Sequence, residues 1–294
     1  MKLRLLHTPA EMEQAQQLQR LVWPGSETDV IPVHVLLTFA HNGGLVLGAY
    51  EAERLIGLSV GFPGLQPNGQ PKHCSHELGV DPAWRNSGIG FALKREQRRL
   101  ALAQGLNLIT WTYDPLLSRN AHLNLGRLGA VCNSYLRELY GEMRDGLNAG
   151  LPSDRFQVDW WIAEARVEQR LQRSARPERV LPADIPGLYP PPAPEAAPLP
   201  PENLPALGQP RLLIYIPSDF LALKQIDLGL ALAWRLFSRA LFEQAFHQGY
   251  LAADFFFDPH TRLSAYLLEK RPAPVPQPRT AVPVPPPSGG EFWR

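Results

Sequence analysis

The 294-residue chain is poor in sulfur, with two cysteines, Cys74 and Cys132, and three methionines. Two thiols cannot build a disulfide framework; they fit a reducing, cytoplasmic setting and read as buried free cysteines. Charge bias is also missing: 29 Lys+Arg against 28 Asp+Glu leave a net charge of +1. That balance gives no basic footprint, so no nucleic-acid partner is expected. No apolar run reaches the roughly 18 residues that a membrane span needs, and Met1-Lys2-Leu3-Arg4 does not open a signal peptide. His73 and His76 flank Cys74, but no second pair at ligand spacing accompanies them, so no metal is expected. What is plentiful is proline, 31 residues gathered late in the chain.

From the N-terminus, residues 3–7 alternate as an edge strand. Thr8-Pro9-Ala10-Glu11 is a capping box with proline at the first helical position, and Met12, Ala15, Leu18 and Val22 share one face of the helix it starts. A second helix covers about 32–40 and stops at Asn42-Gly43-Gly44. Strands at 45–50 and 55–62 form a hairpin, and 63–72 reads as a Gly/Pro loop. A strand over 74–80 enters Asp81-Pro82-Ala83-Trp84-Arg85-Asn86-Ser87-Gly88-Ile89-Gly90, from which an amphipathic helix runs to about 104. Ile89, Leu93, Leu100 and Ala103 face inward on it; Lys94, Arg95, Arg98 and Arg99 read as its solvated surface. A strand at 106–113, a helix from Asp114-Pro115 to about 128, and strands at 129–135 and 156–162 follow.

The segment Arg85-Asn86-Ser87-Gly88-Ile89-Gly90 fits the pattern Arg/Gln-x-x-Gly-x-Gly/Ala. A helix N-terminus offers unpaired N–H groups and partial positive charge to a phosphate, and glycines let the backbone approach it. With this turn at the strand-to-helix junction of a β-α-α-β-β-β-α-β-α-β-β order, residues 1–165 resemble the GNAT superfamily of acyl-CoA-dependent N-acyltransferases. The resemblance implies an α/β (α+β) fold, a central twisted mixed sheet flanked by helices. It also implies acetyl-CoA or another acyl-CoA as co-substrate, with its pyrophosphate held at Arg85, Asn86, Ser87, Gly88, Ile89 and Gly90. Asn120 and Asn124 would contact its arm, Lys94, Arg95, Arg98 and Arg99 could reach its 3′-phosphate if they are not simply a solvated face, and backbone N–H groups at Leu78-Gly79-Val80 would hold the thioester oxygen. Gly79 suits either a bulge or close packing against a helix.

In this family a free amine attacks the thioester directly, so a base must take the ammonium proton. Glu77 and His76 are the local candidates, and they point to opposite faces if the strand is regular; a water chain to a more distant carboxylate is equally open. Many GNAT enzymes protonate the leaving thiolate with a tyrosine. Aligning Ala121 and Gly129 with their motif puts Leu125 at that place, leaving Tyr140, Tyr113, Tyr135 or water as the substitute.

Tyr140-Gly141-Glu142-Met143-Arg144-Asp145-Gly146-Leu147-Asn148-Ala149-Gly150-Leu151-Pro152-Ser153-Asp154-Arg155 resembles a bacterial subgroup of predicted acyltransferases, some linked to N-acylamino-acid metabolism, N-succinylation included. Glu142 and Asp145 would draw an ammonium to the acceptor side, and Arg155 a carboxylate. The implied substrate is a small-molecule amine, an amino acid or derivative, with acetyl or succinyl as the acyl group. The other readings are a CoA-binding sensor without catalysis and a protein acetyltransferase.

The remaining chain divides into a helix and Pro-rich connector at 166–210, a β-α-β-β unit at 211–270 and a Pro-rich tail at 271–294, which reads as disordered. Within the unit, 225–248 reads as one helix on which Arg239 and Glu243 pair, followed by a hairpin turning at Asp258-Pro259-His260-Thr261. The unit is too small to bury its aromatics alone, so it should pack on the first domain or on a second subunit, and a homodimer is one outcome.

Overall fold

The computed structural model describes residues 1–25, 27–143, 149–172, 181–191, 198–258 and 262–270. The tail and the hairpin turn at 259–261 lie outside these, as do Arg144 to Asn148 of the acceptor loop. No described helix is long and apolar enough to cross a membrane.

Strand β1 (Lys2–Leu5) leads to helix α1 (Pro9–Val22), whose N-terminus is closed by the Thr8/Glu11 capping box. Helix α2 (Val33–His41) and strands β2 (Leu45–Glu51), β3 (Arg54–Leu65) and β4 (Pro71–Val80) follow. The expected loop at 63–72 is mostly strand. Pro63↔His73, Gly64↔Lys72 and Leu65↔Pro71 extend the β3–β4 ladder, leaving a turn closed by Gln66 and Gln70. Pro63 is tolerated because it sits near a strand end. Helix α3 (Ile89–Ala103), β5 (Leu108–Tyr113), α4 (Ser118–Ala121), β6 (Val131–Leu136), β7 (Arg155–Trp161) and α5 (Ala165–Gln172) complete the first part. The helix expected from 114 starts only at Ser118, because Asp114 and Pro115 make a turn, and it continues as a π-helical stretch over His122–Arg127.

Helices α1 and α2 bury Met12, Ala15, Leu18, Val22 and Leu36 against Val46, Leu58 and Val60 on one face of the sheet. Helix α3 buries Ile89 and Leu93 against Leu47, Ala49 and Ile56 on the other. Its inward stripe runs through Ala101 rather than Ala103, and it includes Lys94 and Gln97. This corrects the reading of Lys94 as solvated surface.

Strand β8 (Arg211–Ile216), helices α6 (Phe220–Ile226) and α7 (Leu228–His247), and strands β9 (Tyr250–Asp258) and β10 (Leu263–Lys270) continue the same sheet. Its order is β1-β2-β3-β4-β5-β7-β6-β9-β10-β8, with β6 joined to β9 at Cys132↔Ala252. The single helix expected over 225–248 is two, because Asp227 leaves helical geometry and caps α7 through Leu230 N–H at 2.9 Å. Arg239 does not pair with Glu243. It grips Asp154 through both carboxylate oxygens, while Glu243 takes Arg137, so the two side chains fasten α7 to the β6–β7 connection. Arg235 forks onto Asp114 in the same way, and Arg170 of α5 pairs with Asp254 of β9. Phe156 of β7 is the hub of the shared core, ringed by Tyr113, Tyr135, Phe242, Phe246 and Tyr266. The described part of the Pro-rich connector packs on β8: Leu213 exchanges backbone bonds with Pro186 and Leu188, and Pro198 accepts from Trp234 Nε1.

Candidate active site

Every neighbouring pair in the sheet is antiparallel except β4 and β5. Those two are held together only at His73↔Ile109 and Cys74↔Thr110. Beyond that point β4 stays paired to β3 as far as Val80, and β5 to β7 as far as Tyr113. The two strands therefore part, opening a wedge that narrows toward Cys74 and Thr110.

Beyond the wide end of β4, the turn is fixed by Asp81. Its Oδ1 accepts from Ala83 N–H at 2.9 Å, its Oδ2 pairs with Arg54 at 2.6 Å, and its own N–H bonds the Ile56 carbonyl. Asn86 (φ 67°) and Gly88 (φ 90°) are both left-handed, so the chain coils tightly into α3. Ser87 Oγ donates to the Trp84 carbonyl. No side chain caps α3, and its first helical bond runs from Ala92 N–H to the Gly88 carbonyl. The amides of Ile89, Gly90 and Phe91 are thus first-turn donors. A Cβ at Gly88 would meet nothing within 4 Å, and one at Gly90 would make only ordinary contacts, so the two glycines leave room over these donors rather than relieve a clash. Arg119 of α4 donates to Asn86 Oδ1, and its pKa is lowered first by burial and then by the charge of Arg85. Two guanidinium groups beside uncapped amides are the donor set a pyrophosphate requires. The Ile89 side chain is buried in the core, as are those of Leu78 and Val80 in part, so these residues could contribute through the backbone alone.

The β4 register shifts between Val60↔Glu77 and Gly61↔Ser75, leaving His76 as the extra residue of a bulge. The bulge is therefore not at Gly79, which pairs regularly with Leu58. A Cβ at Gly79 would stand 3.0 Å from Cη2 of Trp23, at the end of α1, so packing accounts for this glycine. The bulge also cancels the strict alternation expected of His76 and Glu77. Both turn toward the α1/α2 face: Glu77 pairs with Val60 of that core, and His76 lies 6.2 Å from Phe62, which stacks on Phe39 of α2. Glu77 Oε2 is buried with no hydrogen-bond partner, and burial pushes its carboxyl up to about 8. Partial burial lowers the His76 pKa.

Leu125 is fully buried in the shared core and offers no proton. Tyr113 is no substitute, because its hydroxyl is buried against Tyr266 and its pKa is raised well above the ordinary tyrosine value by that burial. Tyr135 donates to Asp154 and is likewise raised by burial. Tyr140 is 52 % exposed, and its hydroxyl meets Thr112 Oγ1 of β5 at 2.7 Å, on the wide side of the wedge. Asn120 is half-buried on α4, whereas Asn124 is buried with its carbonyl accepting from Ala130 N–H. Arg155 is buried, bonded to the Asp154 carbonyl and lying 5.4 Å from the Tyr140 ring; Glu142 is exposed.

Sequence reasoning missed a polar group on the α3 face. Lys94, Gln97, Ser59, Ser75 and His73 are all buried there, and Lys94 lies over the Trp111 ring. The signal was present: Gly90, Lys94, Gln97 and Ala101 follow helical spacing beside Ile89 and Leu93.

Residues 11–126 match the family model described as the acetyltransferase (GNAT) family. No curated protein matches the chain. Similar solved structures include a GNAT-family protein from Desulfovibrio desulfuricans (17% identity, 55% of this chain and 99% of that one, TM-score 0.44). Others are the ribosomal-protein-S18-alanine N-acetyltransferase from Escherichia coli (15%, 56% and 95%, 0.42) and an aminoglycoside 6'-acetyltransferase type Ii (17%, 56% and 99%, 0.44). Each covers nearly all of its own length and about half of this one, and the assignment rests on the family match. The chain therefore carries a GNAT acetyltransferase domain, the domain of acyl-CoA-dependent N-acyltransferases, over residues 11–126.

Proposed function

We propose that the chain transfers an acyl group, acetyl or succinyl, from acyl-CoA to the primary amine of a small molecule, an amino acid or derivative, by direct attack. The observation that carries this reading is Glu77: a carboxylate with a buried, unpartnered oxygen beside the parting of β4 and β5. Bound acyl-CoA supplies a thioester carbonyl open to an amine. The turn from Arg85 to Gly90 binds phosphate through the first-turn amides of Ile89 and Gly90 and the charge of Arg85 and Arg119. Past Cys74, Asp81 N–H bonds Ile56 on the β3 side, so by strand alternation the amides of Leu78 and Val80 face the wedge and can hold developing negative charge on a carbonyl oxygen, while Gly79 N–H is taken up by the β3 ladder. Glu77 takes the ammonium proton at Oε2, and a carboxyl raised to about 8 suits that transfer near neutral pH. His76, on the same face, is the second candidate. Tyr140 stands over β5 with a hydroxyl able to return a proton, and Asn120 lines the α4 side.

The test is release of free CoA from acetyl-CoA and succinyl-CoA with a panel of amino acids and polyamines. Saturable turnover with one class of amine supports the reading; absence of turnover with every pair sinks it. A second reading, a CoA-binding module without catalysis, is favoured by Leu125 in the place of the family's tyrosine. CoA binding without turnover would select it.

A further inference from the structure

At the narrow end of the wedge, on the α3 face, five polar side chains are sealed inside the protein. Ser59, His73, Ser75, Lys94 and Gln97 are each no more than 5% exposed. Lys94 Nζ donates to Ser75 Oγ (2.8 Å) and Gln97 Oε1 (3.1 Å) and lies 3.8 Å from the centre of the Trp111 ring. Gln97 Nε2 in turn reaches Ser59 Oγ and His73 Nε2, each at 3.2 Å. His73 Nδ1 is buried without a partner. The imidazole is clamped in place, since a Cβ on Gly61 would stand 2.2 Å from His73 Nε2.

The chemistry of this group is one-sided. The neighbours of the ammonium are a hydroxyl, an amide oxygen and an indole face, and no described carboxylate forms an ion pair with it. A buried cation is costly unless an anion joins it or its proton leaves, and burial pushes the Lys94 pKa down to about 7. No described residue supplies that anion, so one arriving from outside would balance the charge.

Its place in the fold says from where. Ser75 is one residue beyond the last β4–β5 pair on its strand, and Trp111 is one beyond it on the other. The phosphate turn follows Val80, at the wide end. From Val80 back to Ser75 a strand covers about 16 Å. A CoA arm anchored at α3 and running inward along β4 points its acyl group at the narrow end.

Resting on the acyl-CoA reading above, we propose that the narrow end is an acyl-chain subsite for a terminal carboxylate. Lys94 is its cation, and Ser75, Gln97 and His73 are its polar lining. The preferred donor is then the CoA thioester of a dicarboxylic acid rather than acetyl-CoA, and Lys94 is the residue that sets this preference.

The full chain tests this without an acceptor amine, using the unreactive thioethers S-ethyl-CoA and S-(3-carboxypropyl)-CoA in titration calorimetry. The carboxylate analogue is expected to bind about tenfold to a hundredfold more tightly, the range of a charge-assisted contact. In Lys94→Met the ratio of the two dissociation constants should fall to within about threefold, and in Ser75→Ala part of the way. The wild-type ratio stands by itself if either variant fails to fold. Equal binding of the two thioethers, or preference for S-ethyl-CoA, overturns the subsite while leaving the CoA site intact. No binding of CoA or either thioether overturns the acyl-CoA reading and the subsite with it.

Discussion

Two regions of this molecule bury charge, and they do so in opposite ways. Where α7 meets the first part of the chain, the charges are matched: Arg235 forks onto Asp114, Arg239 onto Asp154, and Arg170 meets Asp254. Where β4 and β5 part, they are not. Glu77 has an orphan oxygen, His73 an orphan nitrogen, and Lys94 only neutral partners. Matched pairs resist change, because each member would strand the other. Unmatched groups are held ready for something else, and their protonation follows the surroundings.

Among the unmatched groups Glu77 should have the largest effect. Glu77→Gln should lower the turnover number by about 10²–10⁴-fold, the usual worth of a general base, with little change in the denaturation midpoint. In the wild type kcat/KM should climb as pH passes through about 8, where the carboxyl loses its proton, and the glutamine variant should lack that rise. A variant that keeps full activity would place the base elsewhere. Because the folded carboxyl holds its proton above the ordinary 4.5, its contribution to stability is lost as pH rises through about 8.

The matched region predicts the reverse pattern. Asp114→Ala leaves Arg235, 1% exposed, without its partner, and should destabilise the fold by about 3–5 kcal/mol in urea or thermal unfolding. Asp114→Ala combined with Arg235→Met should recover part of that loss. If Asp114→Ala cost less than about 1 kcal/mol, the pair would be ornamental in the manner of a surface ion pair.

Lys94 gives a smaller and more diagnostic effect. Its folded pKa of about 7 lies below the ordinary 10.5, so between those values the unfolded chain carries the extra proton. Stability should therefore rise with pH across that window, and Lys94→Met should flatten the rise. The smallest effect belongs to Gly79. Alanine there presses on the Trp23 indole and should cost about 1 kcal/mol through overpacking, where a bulge glycine would have cost activity.

Much of the frame was legible in the sequence because it rests on local chemistry. Thr8-Pro9-Ala10-Glu11 can only open a helix, and Gly88 answers to one left-handed φ. The bulge at His76 was not legible, since it is a property of the register between β3 and β4. No feature of residues 74–80 alone says which residue β3 will skip. Lys94 was misread because a lysine on a helix is assigned by type to the surface, although its spacing places it on the inward stripe. The break before α7 was legible in principle: Asp227 stands where an N-cap belongs. The partners of Arg235 and Arg239 lie more than eighty residues away in sequence and belong to the fold alone.

The pairing of Cys132 with Ala252 is slight, yet it carries the sheet across from the first part of the chain to the last. Without β9, strand β6 would end the sheet and show a row of open amides and carbonyls, a template for any passing strand. Here the chain supplies its own covering strand, and the far border at β8 is covered in turn by Gly187 and Leu188. Association by strand addition at β6 is thereby closed off.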